Sequence, residues 1–239
     1  MEIITEIDEH KKNDDDWLKI KDLMKIGDVS IDIKDYGIAI KKYTDVLDID
    51  PKNLRALFNL GVIYATIGVN NKAIKYWRIC SEINPQFLDL WFYFGTLYFR
   101  LERYSEAIQC FEEILKIDKK NSPAFFNLGN SYMNLYKYQK AIKYYEAAMS
   151  SDMFDFESYL NLTKCYERLG ILESAIEILK EAADTFLNDK IFLDELGKIY
   201  IEMEDFQHAF ECYETIIIAE PCNAQAEKKI KLLKSLIES

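Results

Sequence analysis

A 34-residue period is the sequence feature that most restricts how this chain can fold. Glycine recurs at this spacing or at a multiple of it, at Gly27, Gly61, Gly95, Gly129 and Gly197, and Thr163 stands at the missing position. An alanine follows each of these six positions by twelve residues, at Ala39, Ala73, Ala107, Ala141, Ala175 and Ala209. So many positions in one register indicate six copies of a single structural unit.

Each unit contains two amphipathic segments. In the second unit, Leu57, Leu60, Gly61 and Tyr64 are separated by three or four residues and therefore lie on one face of a helix. Ala73, Trp77 and Cys80 form the same kind of stripe on a second helix, and residues 67–71 between them contain Gly68, which favours a turn. We expect the glycine and alanine columns to face each other, because small residues let two helices approach closely. A helical hairpin of this kind buries its apolar stripe only by stacking on its neighbours.

The pattern resembles the tetratricopeptide repeat family across residues 20 to 223, as six units without insertion. The resemblance implies an all-α fold, a right-handed solenoid of stacked antiparallel helix pairs. The six repeats would form one domain and occupy residues 20–53, 54–87, 88–121, 122–155, 156–189 and 190–223. It also implies that the first helix of each pair lines a concave groove, which in this family receives partner proteins.

The two ends are expected to differ from the repeats. Residues 1–19 are a polar segment that leads into the first helix, with Asp14, Asp15 and Asp16 capping its N-terminus. A metal site at the three aspartates is the weaker alternative, since adjacent residues on a helix point in different directions. Residues 224–239 are expected to form a capping helix that places Ile230, Leu233 and Ile237 on the last repeat. Four lysines (Lys228, Lys229, Lys231 and Lys234) cover its polar face.

Composition narrows the classes of partner. A net charge of −11 and a pI near 4.8 oppose attraction to nucleic acid and to anionic membranes. The N-terminus has no apolar core like that of a signal peptide, and the longest apolar run, Leu90 to Phe99, is about half of what crosses a bilayer. The five scattered cysteines favour reduced thiols and a cytoplasmic location.

No constellation of residues supports catalysis. The two histidines, His10 and His208, lack partners at metal-ligand spacing, and the phosphate-loop, dinucleotide and nucleophile-elbow motifs are missing from the sequence. Cys80, Cys110, Cys165 and Cys212 lie in predicted helices, where a thiol packs like a small apolar side chain. We therefore predict a protein that is not an enzyme and has no cofactor and no metal.

A partner is expected on the helix face beside the packing stripe. The same repeat step places Phe58, Phe92 and Phe126 in one column, with Phe99 and Asn130 further along the same faces. In one interpretation these phenylalanines support neighbouring hairpins. In the other they form an apolar floor for a partner's side chains.

A second column on the same surface is polar. Asn59, Asn127 and Asn161 could bond the backbone of an extended ligand, because an amide side chain offers both a donor and an acceptor. Arg55, Arg100, Lys164 and Arg168 add charge nearby. The positions at which one subclass of the family grips terminal carboxylates hold Phe126 with Asn130, or Leu160 with Lys164, so we do not expect that clamp.

The sequence thus predicts a non-catalytic scaffold that binds a protein, peptide or helical segment in a concave groove. The groove would be apolar toward repeats two to four and more charged toward repeats five and six. The alternative is a structural assembly subunit or homo-oligomer that uses its ends or its convex face.

Overall fold

The chain is entirely helical in the part that its computed structural model describes, residues 2–150 and 156–238, with side chains from residue 15 onward. Thirteen helices and no strand occur in those residues. They are α1 (Glu2–Asp32), α2 (Tyr36–Ile49), α3 (Leu54–Thr66), α4 (Asn70–Ile83), α5 (Leu88–Arg100), α6 (Tyr104–Ile117), α7 (Ser122–Asn134), α8 (Tyr138–Met149), α9 (Phe156–Leu169), α10 (Leu172–Thr185), α11 (Lys190–Glu202), α12 (Phe206–Ala219) and α13 (Ala224–Ile237).

The helices pack as six consecutive hairpins, α1–α2 through α11–α12, with α13 packed on α12. This is the predicted all-α solenoid class. Packing contacts divide the chain into two compact units, residues 1–117 and 118–239. In the first unit the hairpins join through α2 on α3, α4 on α5, and α3 on α5. In the second they join through α8 on α9, α10 on α11, and α7 on α9.

Side-chain caps fix where four helices begin: α3, α7 and α11, each the first helix of a hairpin, and the capping helix α13. The side chains of Asn53, Asn121 and Asn223 each accept a hydrogen bond from the backbone N–H three residues on, and Asp189 accepts one from two residues on. These positions again follow the repeat period, and a polar N-cap satisfies a backbone donor that the helix leaves free. Phe87 replaces the capping residue at the start of α5, and its ring lies 4.9 Å from that of Phe58.

A left-handed residue ends the first helix of every hairpin. The backbone φ is positive at Lys34, Gly68, Glu102, Tyr136, Gly170 and Glu204, each one repeat length from the next. The following N–H reverses the chain by bonding back into the helix, as Val69 does to the Tyr64 carbonyl at 2.8 Å and Arg103 to the Tyr98 carbonyl at 2.9 Å. Two of the six are glycines, and the other four hold a conformation that costs an L-residue about 1 kcal/mol.

An aromatic ring on the second helix lies over the glycine of the first helix in five of the six hairpins. A Cβ added at Gly95 would lie 2.7 Å from the Phe111 ring, and one at Gly129 would lie 2.6 Å from the Tyr145 ring. The same relation joins Gly27 to Tyr43, Gly61 to Trp77 and Gly197 to Tyr213. The atoms nearest each of these glycines belong to the ring four residues after the alanine, so the prediction that the alanine column faces the glycine column did not include the residue in closest contact. The alanines themselves are fully buried.

In the fifth hairpin, both the glycine position and the ring position hold other residues. Thr163 replaces the glycine and is 2% exposed, and the ring position holds Leu179, which is fully buried. The Thr163 hydroxyl donates to the Tyr159 carbonyl at 2.9 Å. A larger residue on one helix is thus matched by a smaller one on the other, which keeps the volume between the two helices close to constant.

Two expectations about the ends were wrong. Helix α1 begins at Glu2, so the three aspartates at 14–16 lie within the helix and do not cap its start. No Pro or Gly interrupts residues 2–26, and the helix therefore continues. The capping helix α13 spans residues 224–237 as expected and buries Leu233. However, Ala226 and half-buried Ile230 complete its contact, and Ile237 is 44% exposed.

We expect Glu102→Gly to raise the free energy of unfolding by about 1 kcal/mol, because glycine removes the left-handed strain. The matched change Gly68→Ala should lower it by a similar amount through the backbone alone, since an added Cβ there meets nothing within 4 Å. Denaturant unfolding of wild type and both variants measures these free energies. Equal stabilities for wild type and both variants would contradict the strain argument.

We expect Gly129→Thr to lower the free energy of unfolding by about 1–3 kcal/mol, because its Cβ would overlap the Tyr145 ring. Adding Tyr145→Leu reproduces the Thr163–Leu179 pairing and should recover part of that loss in a double-mutant cycle. Gly37→Thr is the control, because a Cβ at Gly37 has its nearest neighbour at 3.5 Å. Strictly additive losses at positions 129 and 145 would show that ring and glycine are not coupled.

Candidate partner-binding site

The first unit has an open apolar pocket of about 320 Å³ between α3 and α5. We call its walls the α3–α5 surface, lined by Val62, Ala65, Thr66, Trp77, Phe92, Tyr93, Thr96, Leu97 and Arg100. Trp77 is only 1% exposed, whereas Phe92 and Tyr93 are 38% and 47% exposed. Large aromatic side chains with this much free surface on a helix face are typical of binding sites.

The side chain of Arg100 forms the polar edge of the α3–α5 surface. It is exposed, and its Nη2 donates to the Ala65 carbonyl at 3.4 Å. No carboxylate of the described residues lies within ion-pair distance of this guanidinium. The hydroxyls of Thr66 and Thr96 donate to carbonyls within their own helices, at 2.8 Å each. The pocket therefore combines an aromatic wall with one available cation.

The predicted phenylalanine column divides by environment. Phe58 is half-buried and packs on Phe87 at 4.9 Å and on Tyr93 at 5.4 Å, so its ring supports the neighbouring hairpin. Phe92 meets Phe111 edge-on at 6.3 Å and keeps its outer face free. Phe99 lies outside the pocket lining and packs on Tyr104 at 5.3 Å. Of these three, Phe92 is the one that a partner could reach most fully.

Asn59 belongs to a polar network at the start of the same face. Its amide donates to the Tyr43 hydroxyl at 3.0 Å, and that hydroxyl donates to Asp28 at 2.7 Å. Arg55 closes the network through an ion pair with Asp28 at 2.6 Å. Burial, followed by the bond to Asp28, raises the pKa of Tyr43, which keeps the phenol protonated. The expected free cation at Arg55 is therefore already paired within the chain.

In the second unit, three predicted asparagines also have partners inside the chain. The Asn130 carbonyl oxygen accepts from the Tyr145 hydroxyl at 2.7 Å and from the Asn161 amide at 3.2 Å. Asn127 donates to the Pro123 carbonyl at 2.7 Å, and Phe126 is half-buried against Tyr145 at 6.0 Å. Each amide retains one N–H that these bonds do not use. The asparagines are therefore partly committed to the fold.

A charged pocket lies between α7 and α9 in the second unit. Lys164 and Arg168 line it together with Met133, Tyr138, Glu167 and Glu202. Burial, followed by repulsion from Glu195 and Glu202, raises the pKa of Glu167, while Lys164 and Arg168 oppose the rise. Two cations beside two carboxylates can bind a polar segment of either sign. This surface differs in kind from the aromatic pocket of the first unit.

The remaining candidates for chemistry have structural roles. His208 is exposed, lies 2.8 Å from the Asp205 carboxylate and stacks on Tyr200, while the side chain of His10 is outside the described residues. Burial raises the pKa of the Cys165 and Cys212 thiols to about 11, so both are protonated. Within the residues searched, no group of three or more potential metal ligands comes together. The same residues include no helix with the length and apolarity to cross a membrane.

Sequence reasoning missed three residues of these pockets. Trp77 was assigned to packing only, yet it also forms the floor of the α3–α5 surface. Tyr93 stands one repeat after Asn59 and one before Asn127 and was not among the predicted binding residues, although it is the most exposed aromatic of the pocket. Tyr138, which begins α8, could not be placed against Lys164 from helix periodicity alone, because it approaches from the second helix of a hairpin.

Two tetratricopeptide repeat family models match the chain. One matches residues 88–121 and 122–153, and the other matches residues 54–87 and 192–221, so that together they cover more than half of the sequence. This chain is a tetratricopeptide repeat protein. The two hairpins without a match are the first and the fifth. The first has Ser30 where every other repeat has a tyrosine, as at Tyr64, and the fifth has Thr163 in the glycine column.

Solved structures of other tetratricopeptide repeat proteins share the fold. A crystal structure of MamA is 26% identical, has a TM-score of 0.65, and covers 70% of this chain and 91% of its own. YrrB, described as a TPR protein with an unusual peptide-binding site, is 19% identical and has a TM-score of 0.62. The match covers 79% of this chain and 97% of YrrB. A tetratricopeptide repeat protein from Parabacteroides merdae is 16% identical with a TM-score of 0.67, covering 92% and 93%. No curated protein sequence matches the chain.

Proposed function

We propose that this tetratricopeptide repeat protein is a non-catalytic interaction scaffold whose α3–α5 surface binds a peptide or helical segment of a partner protein. The observation that carries the proposal is the exposed pair Phe92 and Tyr93 above Trp77, beside the unpaired Arg100. Aromatic residues and arginine contribute most of the binding energy at protein interfaces, and here they share one pocket. Proteins of this repeat family are in general scaffolds that act by binding.

The shape and chemistry of the pocket define the partner segment. Its aromatic wall accepts one large apolar side chain, such as Leu, Met or Phe, with a volume well below the 320 Å³ available. Arg100 lies at the edge and would pair with a carboxylate of the same segment, because charged groups orient a ligand whose burial supplies the affinity. The proposed ligand is therefore an apolar residue with an acidic residue nearby. Asn59 keeps one N–H for the ligand backbone.

The second unit provides a separate, polar contact in this proposal. The pocket that contains Lys164 and Arg168 would bind a charged part of the partner, while Phe126, Asn127, Asn130 and Asn161 support the helices that form it. A cytoplasmic location is part of the same proposal. Its support is that the five cysteines are free thiols, four of them buried.

We expect the immobilised chain to enrich, from a random peptide display library, peptides that carry an apolar residue close to a carboxylate. Phe92→Ala and Arg100→Ala should each raise the dissociation constant for an enriched peptide by about tenfold or more, as truncation of an interface hot spot does. Fluorescence anisotropy measures the affinities.

The matched control for Phe92→Ala is Tyr136→Ala, which removes an aromatic side chain that is 80% exposed in the turn of the fourth hairpin. It should leave the affinity unchanged. Circular dichroism of each variant checks that the helices are intact. If folded Phe92→Ala and Arg100→Ala proteins bound the enriched peptides as tightly as wild type, the α3–α5 surface would not be the binding site.

A further inference from the structure

One face of α1 has the apolar residues that pack against the preceding repeat in other hairpins, but no described helix packs on it. Ile26 and Val29 are 45% and 52% exposed, although each is equivalent to a buried residue in the other repeats. In α3 the equivalents are Leu60 and Ile63, at 0% and 1% exposed. These residues are buried in α3 because α2 packs on them, and no described element packs on α1 from the corresponding side.

The exposed stripe continues beyond these two residues. Leu18 is 53% exposed on the same helix face, since positions 18, 22, 26 and 29 recur every three or four residues. Ile33, which is 68% exposed, follows directly after the last residue of α1 at the next step of this spacing. The stripe spans about 22 Å at 1.5 Å per residue. We call it the α1 face, formed by Leu18, Asp22, Lys25, Ile26, Val29 and Ile33.

Helix α13 shows how charged side chains cover a helix side on which no described element packs. Helix α13 is equivalent to the first helix of a repeat, but Glu227, Lys231 and Lys234 stand where α11 has Leu193, Gly197 and Tyr200. These charged residues cover the side on which a second helix would pack, and all three are exposed. At α1 the joint-facing side has kept its apolar residues, which indicates that another surface covers it.

We propose that the α1 face is the contact surface for a second copy of this chain, with the two α1 helices antiparallel about a two-fold axis. The charges on the face support this occupant. Asp22 and Lys25 are exposed, lie one turn apart and form no ion pair within the described residues. A two-fold axis midway between them places Asp22 opposite Lys25 of the second copy, and the reverse, so that the interface contains two ion pairs and each charge has one partner.

The same register places Leu18 opposite Val29 of the second copy, in two equivalent contacts that flank the central charges. An unrelated apolar partner would leave Asp22 and Lys25 without counterparts, whereas this face is complementary to itself. One helix pair is a small interface, so we expect a dimer that dissociates in the micromolar range rather than a permanent one.

Sedimentation velocity of the full chain over a range of concentrations tests the proposal. Wild type should show a concentration-dependent monomer–dimer equilibrium, and Val29→Glu should be monomeric throughout. Asp22→Lys and Lys25→Asp should each raise the dimer dissociation constant about tenfold or more, because like charges then oppose each other. The double variant Asp22→Lys with Lys25→Asp should return the dimer dissociation constant to the wild-type value.

Ile218→Glu is the matched control, since it places the same charge on an apolar residue that is 76% exposed on α12. It should leave the equilibrium unchanged. A monomeric wild type, a dimer that Val29→Glu does not weaken, or a charge exchange that fails to restore association would each overturn the proposal. Peptide binding at the α3–α5 surface should be the same for Val29→Glu and wild type, so either proposal can fail without the other.

Discussion

The contact between a ring and a glycine sets the distance between the two helices of a hairpin, and the remaining contacts depend on it. A side chain at Gly95 or Gly129 would overlap the ring that lies there. Because the ring fills the space that a Cβ would need, the first helix can carry only hydrogen at this position unless the ring moves. The alanine four residues before the ring is fully buried as well. The packing of the hairpin thus depends on two positions together, the glycine of the first helix and the ring of the second.

The same rings also shape the surface where a partner would bind. Two of these rings also form hydrogen bonds with the first helix of their hairpin. The Trp77 Nε1 donates to the Phe58 carbonyl at 3.1 Å, and the Tyr145 hydroxyl donates to Asn130 at 2.7 Å. Trp77 is therefore both the core of its hairpin and the floor of the α3–α5 surface. This arrangement holds the pocket rigid before a ligand arrives, which lowers the entropy lost on binding.

Much of this architecture could be predicted from the repeat period, because packing between repeats imposes the same residue at every equivalent position. The period did not show which columns touch. Glycine and alanine are both small, and only the structure places the ring over the glycine. Gly68 was interpreted as part of a turn, but its recurrence at Gly170, three periods later, was overlooked as the mark of a left-handed residue in every hairpin.

The candidate site was less predictable than the fold. Helix periodicity identified Phe92 and Arg100 as surface residues, but it could not separate them from Phe58, whose ring is covered by Phe87 from the loop between α4 and α5. Tyr93 was missed because it occupies a position that asparagine holds in other repeats. Such contacts depend on how neighbouring hairpins pack, and a one-dimensional period carries no information about that geometry.

Hydrogen exchange at the Trp77 indole N–H tests the central claim most directly, because this proton lies at the contact between ring and glycine. NMR resolves it from the indole protons of Trp17, which is 59% exposed, and Trp91, which donates to the Pro85 carbonyl at the surface. We expect the Trp77 proton to exchange far more slowly than that of Trp17, and Gly61→Ser to remove most of this protection. Exchange as fast as at Trp17 in the wild type, or unchanged protection in Gly61→Ser, would contradict the account.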